Sequence, residues 1–408
     1  YLELDDHEAA RRLLEDSEAI LEAEGSDARV EYSTTLNFLG NLARGGRDLE
    51  AAIKRYDRAV EVLGPATKAT ADAHIVATGN LVGSYLEQRL PVEARQAFDR
   101  YSVLMGEFTD SDLSGTPIPL TLEGRLLDME GRAEEAGRVL RSAIEIVEAS
   151  PPEVNHAGVY AIAAQWMEST GDLGGALLMR REQVKMIEHF HAEGTRISAL
   201  ARTGVAHALF VSGQRGEALA RTIELVDVLE ALGPRARADF RFNQARLSFY
   251  ANRSGRADVA VEVLRKLRSE AAAGRQHGPQ SPERIDTLLA MSCELADASP
   301  DEIEEARVAA GAAVRRVLDE SKSVALVAGW AREAAELGAQ GAAQLVVRAC
   351  INQATQVGTD LELDPEALGD LLTAAAGAGL QGSELRSIVE FVSSLPSRWN
   401  NRKTRCAG

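Results

Sequence analysis

The sequence predicts an all-α protein, an α-solenoid of stacked antiparallel helix pairs. Three observations predict it. Alanine recurs at Ala10, Ala52, Ala94, Ala136, Ala176, Ala218 and Ala260, at spacings of 42, 42, 42, 40, 42 and 42 residues. Five residues before the later markers stands a glycine: Gly131, Gly171, Gly213, Gly255 and, further on, Gly338. Twelve residues before each regular marker from Ala52 onward stands a mostly small residue: Gly40, Val82, Gly124, Ala164, Ala206 and Ser248. Each position has a physical task. The glycine closes a helix in the left-handed conformation. The small residue lets a second helix approach the first, and the alanine is the matching contact on that second helix.

Taken in order, Asp5–Glu24 reads as a second helix, because Ala10, Leu14 and Ser17 occupy the places of Ala52, Tyr56 and Ala59 one period later. Only Tyr1–Leu4 remain for its first helix, and Leu13, Leu14, Ile20 and Leu21 exceed what one neighbour covers, so the native protein is expected to extend upstream of Tyr1. Residues 1–270 form the regular array. Gly64, Gly106, Gly194, Gly233 and Gly274 are expected to end its second helices, with Pro65 and Pro234 behind two of them. Phe108–Pro119 reads as an irregular connection in which two prolines delay the next helix to about Ile118. Ala271–Pro282, rich in Gly, Gln and Pro, reads as an exposed connection. Ala306 and Ala343 then mark two degenerate units over 271–355, the first opened by a cap at Ser299-Pro300-Asp301-Glu302. A closing helix pair is expected over 356–395 and a mobile basic tail over 396–408.

Composition narrows the function. Sixty-two acidic against 45 basic residues leave a net charge of −17, which repels phosphate backbones and anionic lipid, so neither nucleic acid nor a membrane is an expected partner. Cys293, Cys350 and Cys406 are too few and too scattered for a disulfide framework, which fits a reducing, cytoplasmic setting.

The repeat resembles the tetratricopeptide (TPR) motif. Leu36, Leu39, Gly40, Ala52, Tyr56 and Ala59 match it best, followed by Leu81–Val82–Tyr85–Ala94–Phe98 and by Gly124–Leu127–Gly131–Ala136–Leu140–Ala143. The 42-residue period is similar to the long-helix subtype of kinesin light chains and bacterial regulators. The resemblance covers about residues 1–350 and implies a right-handed superhelix with a concave groove; units after Ala176 lose the aromatic.

Motifs of catalysis are absent. No phosphate loop, Gly-x-Gly-x-x-Gly or Gly-x-Ser-x-Gly occurs, and His7-Glu8-Ala9-Ala10-Arg11 lacks the second ligand of a zincin helix. His189 and His191, read as lying on one helix, point about 200° apart and cannot share a metal. No enzyme activity, cofactor or metal is expected. Instead, first-helix positions facing neither the paired helix nor the next unit are expected to line the groove: Thr34, Asn37, Asn41 and Arg44; Gly79, Asn80 and Gly83; Thr121, Arg125 and Asp128; Gln165 and Glu168. The row continues with Thr203, His207 and Phe210, then Phe242, Phe249, Asn252 and Arg253. Amides donate to and accept from a peptide backbone, arginine pairs with carboxylates, and aromatics anchor. The expected partner is a protein or peptide segment. The alternative expectation is the sensor arm of a larger bacterial regulator (a nucleotide-switch ATPase, transcription activator or kinase) whose effector domain lies outside this chain. Alanine at Asn80 and Arg125 is expected to weaken binding and to leave stability within about 1 kcal/mol.

Overall fold

The computed structural model describes residues 7–24, 28–109, 116–272, 281–321, 324–357 and 365–380. Among them every regular element is helical. The chain divides into two compact units, Tyr1–Ala208 and Leu209–Gly408. In the first, α1 (His7–Glu24) packs on α2 (Arg29–Gly45), and the helix pairs are α2 with α3 (Leu49–Leu63), α4 (Ala71–Glu87) with α5 (Pro91–Phe108), α6 (Pro117–Met129) with α7 (Ala133–Ala149), and α8 (His156–Thr170) with α9 (Leu173–Phe190). Helix α10 (Arg196–Val211) spans the division. The second unit holds α11 (Arg215–Ala231), then α12 (Arg237–Arg253) paired with α13 (Ala257–Ala272), α14 (Pro282–Leu295) with α15 (Pro300–Ser321), α16 (Val324–Leu337) with α17 (Gln340–Val357), and finally α18 (Pro365–Gly377) on α16.

The periodic residues form the inter-helix seams. Ala52, Ala94, Ala136, Ala176, Ala218, Ala260 and Ala343 are all fully buried. Where the residue twelve before the marker is glycine, the second helix lies directly on the first helix's backbone. A Cβ on Gly40 would stand 2.5 Å from the Tyr56 ring, and one on Gly124 would stand 2.6 Å from Leu140 Cγ. Tyr56 and Leu140 each follow a marker by one helical turn, so the seam is a repeated lock of backbone, alanine and one large side chain.

Helix ends follow the glycine rule with three substitutions among the described residues, one of them Asp297 (φ 49°) after α14. Gly131, Gly171, Gly213, Gly255 and Gly338 have φ between 72° and 86°, but the equivalent positions in two early units are Arg47 (φ 64°) and Arg89 (φ 58°). These arginines take a conformation that costs an L-residue free energy. Gly106 differs from its expected role: α5 runs through it to Phe108, because its φ is not left-handed and nothing crowds it. Helix α6 starts at Pro117, with proline at the first position. His191 lies just past α9 in extended backbone, so the two histidines do not share a helix.

Later helices are tied by side chains. Glu302 accepts from Ser299 N at 3.1 Å while its own N–H donates to Ser299 Oγ, a reciprocal cap on α15. The Ser299 hydroxyl, donating to it at 2.7 Å, then Arg265, then Ser299 N hold the Glu302 carboxyl down at about 2. Glu294 of α14 reaches the start of α17, accepting from Gly341 N at 2.7 Å and Ala342 N at 2.9 Å, and Arg307 of α15 donates to it at 3.1 Å. On α1, Leu13 and Ile20 are exposed, whereas Leu21 packs against the Tyr32–Leu36 core. The second closing helix, the basic tail, residues 110–115 of the first connection, and residues 273–280 of the second, with the helix end expected at Gly274, lie outside the described residues.

Candidate functional site

The first helices of the first unit carry a row of polar side chains, one helical turn apart along α2. Asn80 Nδ2 of α4 donates to Asn37 Oδ1 of α2 at 2.9 Å. Asn41 Oδ1 accepts from the Tyr56 hydroxyl at 2.7 Å. Arg44 Nε donates to Glu87 Oε1 at 3.0 Å, and its guanidinium lies over Gly83, where no side chain intervenes. Burial is the largest influence on Arg44 and lowers its pKa, but the hydrogen bond and charge of Glu87 together raise it above its ordinary value.

Arg125 on α6 differs. It makes no hydrogen bond or ion pair to any described residue, and it is half-buried. Burial, more than anything else, pushes its pKa down; Glu87 pulls it back up and Arg44 pushes it down again. Two guanidinium groups thus stand within electrostatic reach of one carboxylate, and Glu87 is committed to Arg44. This spot has an excess positive charge, in a chain of net charge −17.

The other expected positions divide. Asn37 and Thr121 are buried, and the Thr121 hydroxyl donates to the Pro117 carbonyl at 2.6 Å within its own helix. A Cβ on Gly79 would stand 3.2 Å from the Tyr101 ring, so this position packs against α5 rather than lining an open surface. Gln165 is exposed on α8, while Glu168 is tied to Arg180 at 3.3 Å. His207 is half-buried on α10. In the second unit Phe210, also half-buried, stacks on Tyr250 with ring centroids 4.2 Å apart and lies 5.5 Å from Phe249. Asn252 is buried and donates to Ser292 Oγ of α14 at 3.0 Å.

Sequence reasoning passed over Glu87, and a signal for it existed. Asn37 with Asn80 and Arg44 with Glu87 are both 43 residues apart, the offset that places neighbouring first helices in register. It also passed over Glu333, which pairs with both Arg253 of α12 and Arg284 of α14. Among the described residues no group of three His, Cys, Asp or Glu could hold a metal, and no helix is long and apolar enough to cross a membrane.

No protein-family model and no curated protein matches the sequence. Solved structures do match. The apo form of RapI superposes with a TM-score of 0.52 at 9% identity, over 81% of this chain and 99% of that one. A signal-transduction ATPase with numerous domains from Pyrococcus horikoshii, described as having a tetratricopeptide repeat sensor, superposes with a TM-score of 0.51 at 13% identity. The fold is tetratricopeptide-like. The match covers 76% of this array but only 45% of that ATPase, so the array spans less than half of it. Kinesin light chain repeats from Podosopora anserina are more distant, with a TM-score of 0.36 at 14% identity over 51% of the array and 98% of that chain. At these identities the likeness is one of fold.

Proposed function

We propose that the array is a non-catalytic binding module whose first-helix face takes a protein or peptide segment. The observation that supports this most directly is Arg125: a half-buried guanidinium with no hydrogen bond to a described residue, beside an Arg44–Glu87 pair that cannot neutralise it. An incoming carboxylate would give this guanidinium a bidentate, charge-assisted contact. Asn80, Asn41 and Gln165, on α4, α2 and α8, add amides suited to a peptide backbone. Stacked helices are stiff, so few anchors suffice for affinity. Buried Cys293 and Cys350, both free thiols, fit a cytoplasmic setting.

A decisive experiment compares affinity capture by the intact chain and by Arg125→Glu, with crosslinks mapped by mass spectrometry. The expected result is crosslinks on α2, α4 and α6 and loss of capture in the variant. Capture indifferent to Arg125→Glu, with crosslinks on the second helices, refutes the reading. The same face would serve the sensor arm of a larger bacterial regulator with its effector domain outside this chain. The similar ATPase with its repeat sensor supports keeping that reading. It is tested by whether occupancy of the face changes the activity of a longer polypeptide carrying such a domain.

A further inference from the structure

Eighteen residues before the markers Ala52, Ala94, Ala136, Ala176 and Ala218 stand Thr34, Val76, Ile118, Gly158 and Leu200. All five belong to the first unit, on α2, α4, α6, α8 and α10, and all five are exposed. Val76, Ile118 and Leu200 leave 52%, 42% and 41% of their surface open, and large apolar groups at one fixed place in successive units form a row rather than scatter. A Cβ on Gly158 would meet nothing within 4 Å, so the row leaves open space on α8. Seven residues further along four of these helices, two turns or about 10 Å on the same face, stand Asn41, Gly83, Arg125 and Gln165. Asn41 and Gln165 are exposed, the Arg44 guanidinium covers Gly83, and Arg125 has no hydrogen bond to a described residue. Helix α4 packs on α2 and on α6, α6 packs on α8, and the Asn80–Asn37 hydrogen bond fixes the register of the first two. A largely apolar row and a polar row thus cross the first helices side by side.

We propose that these two rows bind an extended, acidic segment of a partner protein in the polyproline II conformation, with a large apolar side chain at every third residue. The inference rests on the reading of the array as a binding module and adds the conformation and chemistry of the partner. Three arguments carry it. Packed helices lie about 8–10 Å apart and three residues of polyproline II cover about 9 Å, so one apolar side chain meets each first helix. A segment in that conformation has no internal hydrogen bonds, whereas a helix has already paired its own backbone. The Asn41 and Gln165 amides therefore find backbone partners in the extended form alone. Polyproline II turns a second face sideways, and carboxylates on it reach Arg125, beside an Arg44–Glu87 pair and in a chain of net charge −17. The open space at Gly158 admits the bulkiest of the apolar side chains.

The test uses the full chain and a fluorescein-labelled 12-residue peptide with capped ends, the triplet Leu-Glu-Pro repeated four times. Anisotropy should show binding, weakened at least tenfold when the leucines become serines and at least threefold when the glutamates become glutamines. It should weaken at least tenfold in Val76→Asp/Ile118→Asp, with helical circular dichroism unchanged. It should stay constant in Val92→Asp/Val103→Asp, which adds the same charge at two exposed valines of α5. If the first double variant loses helicity, Val76→Ser and Ile118→Ser replace it, each expected to weaken binding at least threefold. Absence of binding, or binding indifferent to Leu→Ser or to the Val76 and Ile118 variants, overturns the proposal. Loss of binding in Arg125→Glu with none in those variants also overturns it, and leaves the binding-module reading standing. Tighter binding of a capped helical peptide with leucines seven residues apart, lost in the same variants, overturns it in favour of a helix.

Discussion

Gly40→Ala should destabilise the protein even though alanine is the better helix former. Gly40 lies inside α2, where replacing glycine by alanine gains about 1 kcal/mol of helix propensity. The new Cβ would sit 2.5 Å from Tyr56 Cε1 and 2.8 Å from Cδ1. That ring is fully buried, packed with Ala52 and Leu81, and pinned at its hydroxyl by Asn41. It cannot swing away without leaving the core, so overpacking costs about 1–3 kcal/mol. Losing the Tyr56–Asn41 hydrogen bond adds about 1 kcal/mol. The net is a loss of about 1–3 kcal/mol. Gly329→Ala is the control: Gly329 lies inside α16 with nothing within 4 Å of its Cβ position, so it should gain about 0.5–1 kcal/mol. Both are read as shifts in urea midpoint at constant m. In a Tyr56→Ala background the Gly40→Ala penalty should vanish or reverse. A Gly40→Ala variant as stable as Gly329→Ala would refute the lock of helix on helix.

Arg47→Gly and Arg89→Gly should each stabilise by about 0.5–1 kcal/mol, because both arginines occupy the left-handed closing position; unchanged melting curves would show that the strain is relieved elsewhere. Asn80→Ala should cost about 1–3 kcal/mol, above the near-neutral expectation for an exposed residue, because it orphans buried Asn37; thermal denaturation decides between the two values. His74 is buried, its Nε2 has no hydrogen-bond partner, and burial lowers its pKa below 6.5 despite a bond to the Gly64 backbone. Its folded state therefore stays neutral while the unfolded chain takes up a proton, so stability is full above pH 6.5 and drains as pH falls toward the depressed value. His74→Leu should flatten that part of the stability–pH profile, and an unaltered slope would exclude the residue.

The fold was legible because its signal is a packing signal repeated many times. An alanine that must touch a neighbouring backbone leaves the same mark at each turn of the array, and those marks are buried throughout. The end of a helix was less legible. Arg47 and Arg89 carry no sequence mark of left-handed backbone, since the conformation is imposed by the chain on either side. The face was legible only in part. Asn37 and Asn41 share a helix and a side-chain type, yet one is buried against Asn80 and the other is exposed beside Tyr56. Which amide turns inward depends on the register of the next helix, and a 43-residue offset carries that register where a 42-residue marker does not. Arg125 was found by type and position, but its lack of a hydrogen bond to any described residue is a fact of three helices at once.

The grip of Glu294 on the start of α17 sets a limit on how this chain can lengthen or shorten. In the regular stretch each seam is made of the same alanine and small-residue contacts, so duplicating or excising 42 residues rejoins surfaces that already fit. Around α14, α15 and α17 the parts are no longer interchangeable. One carboxylate serves two N–H groups and Arg307 across 47 residues of sequence, and any whole unit inserted between them leaves a helix start bare and a charge stranded. Natural variation in repeat number should accumulate before α14, while the segment from Glu294 to Ala342 should pass on as one indivisible block.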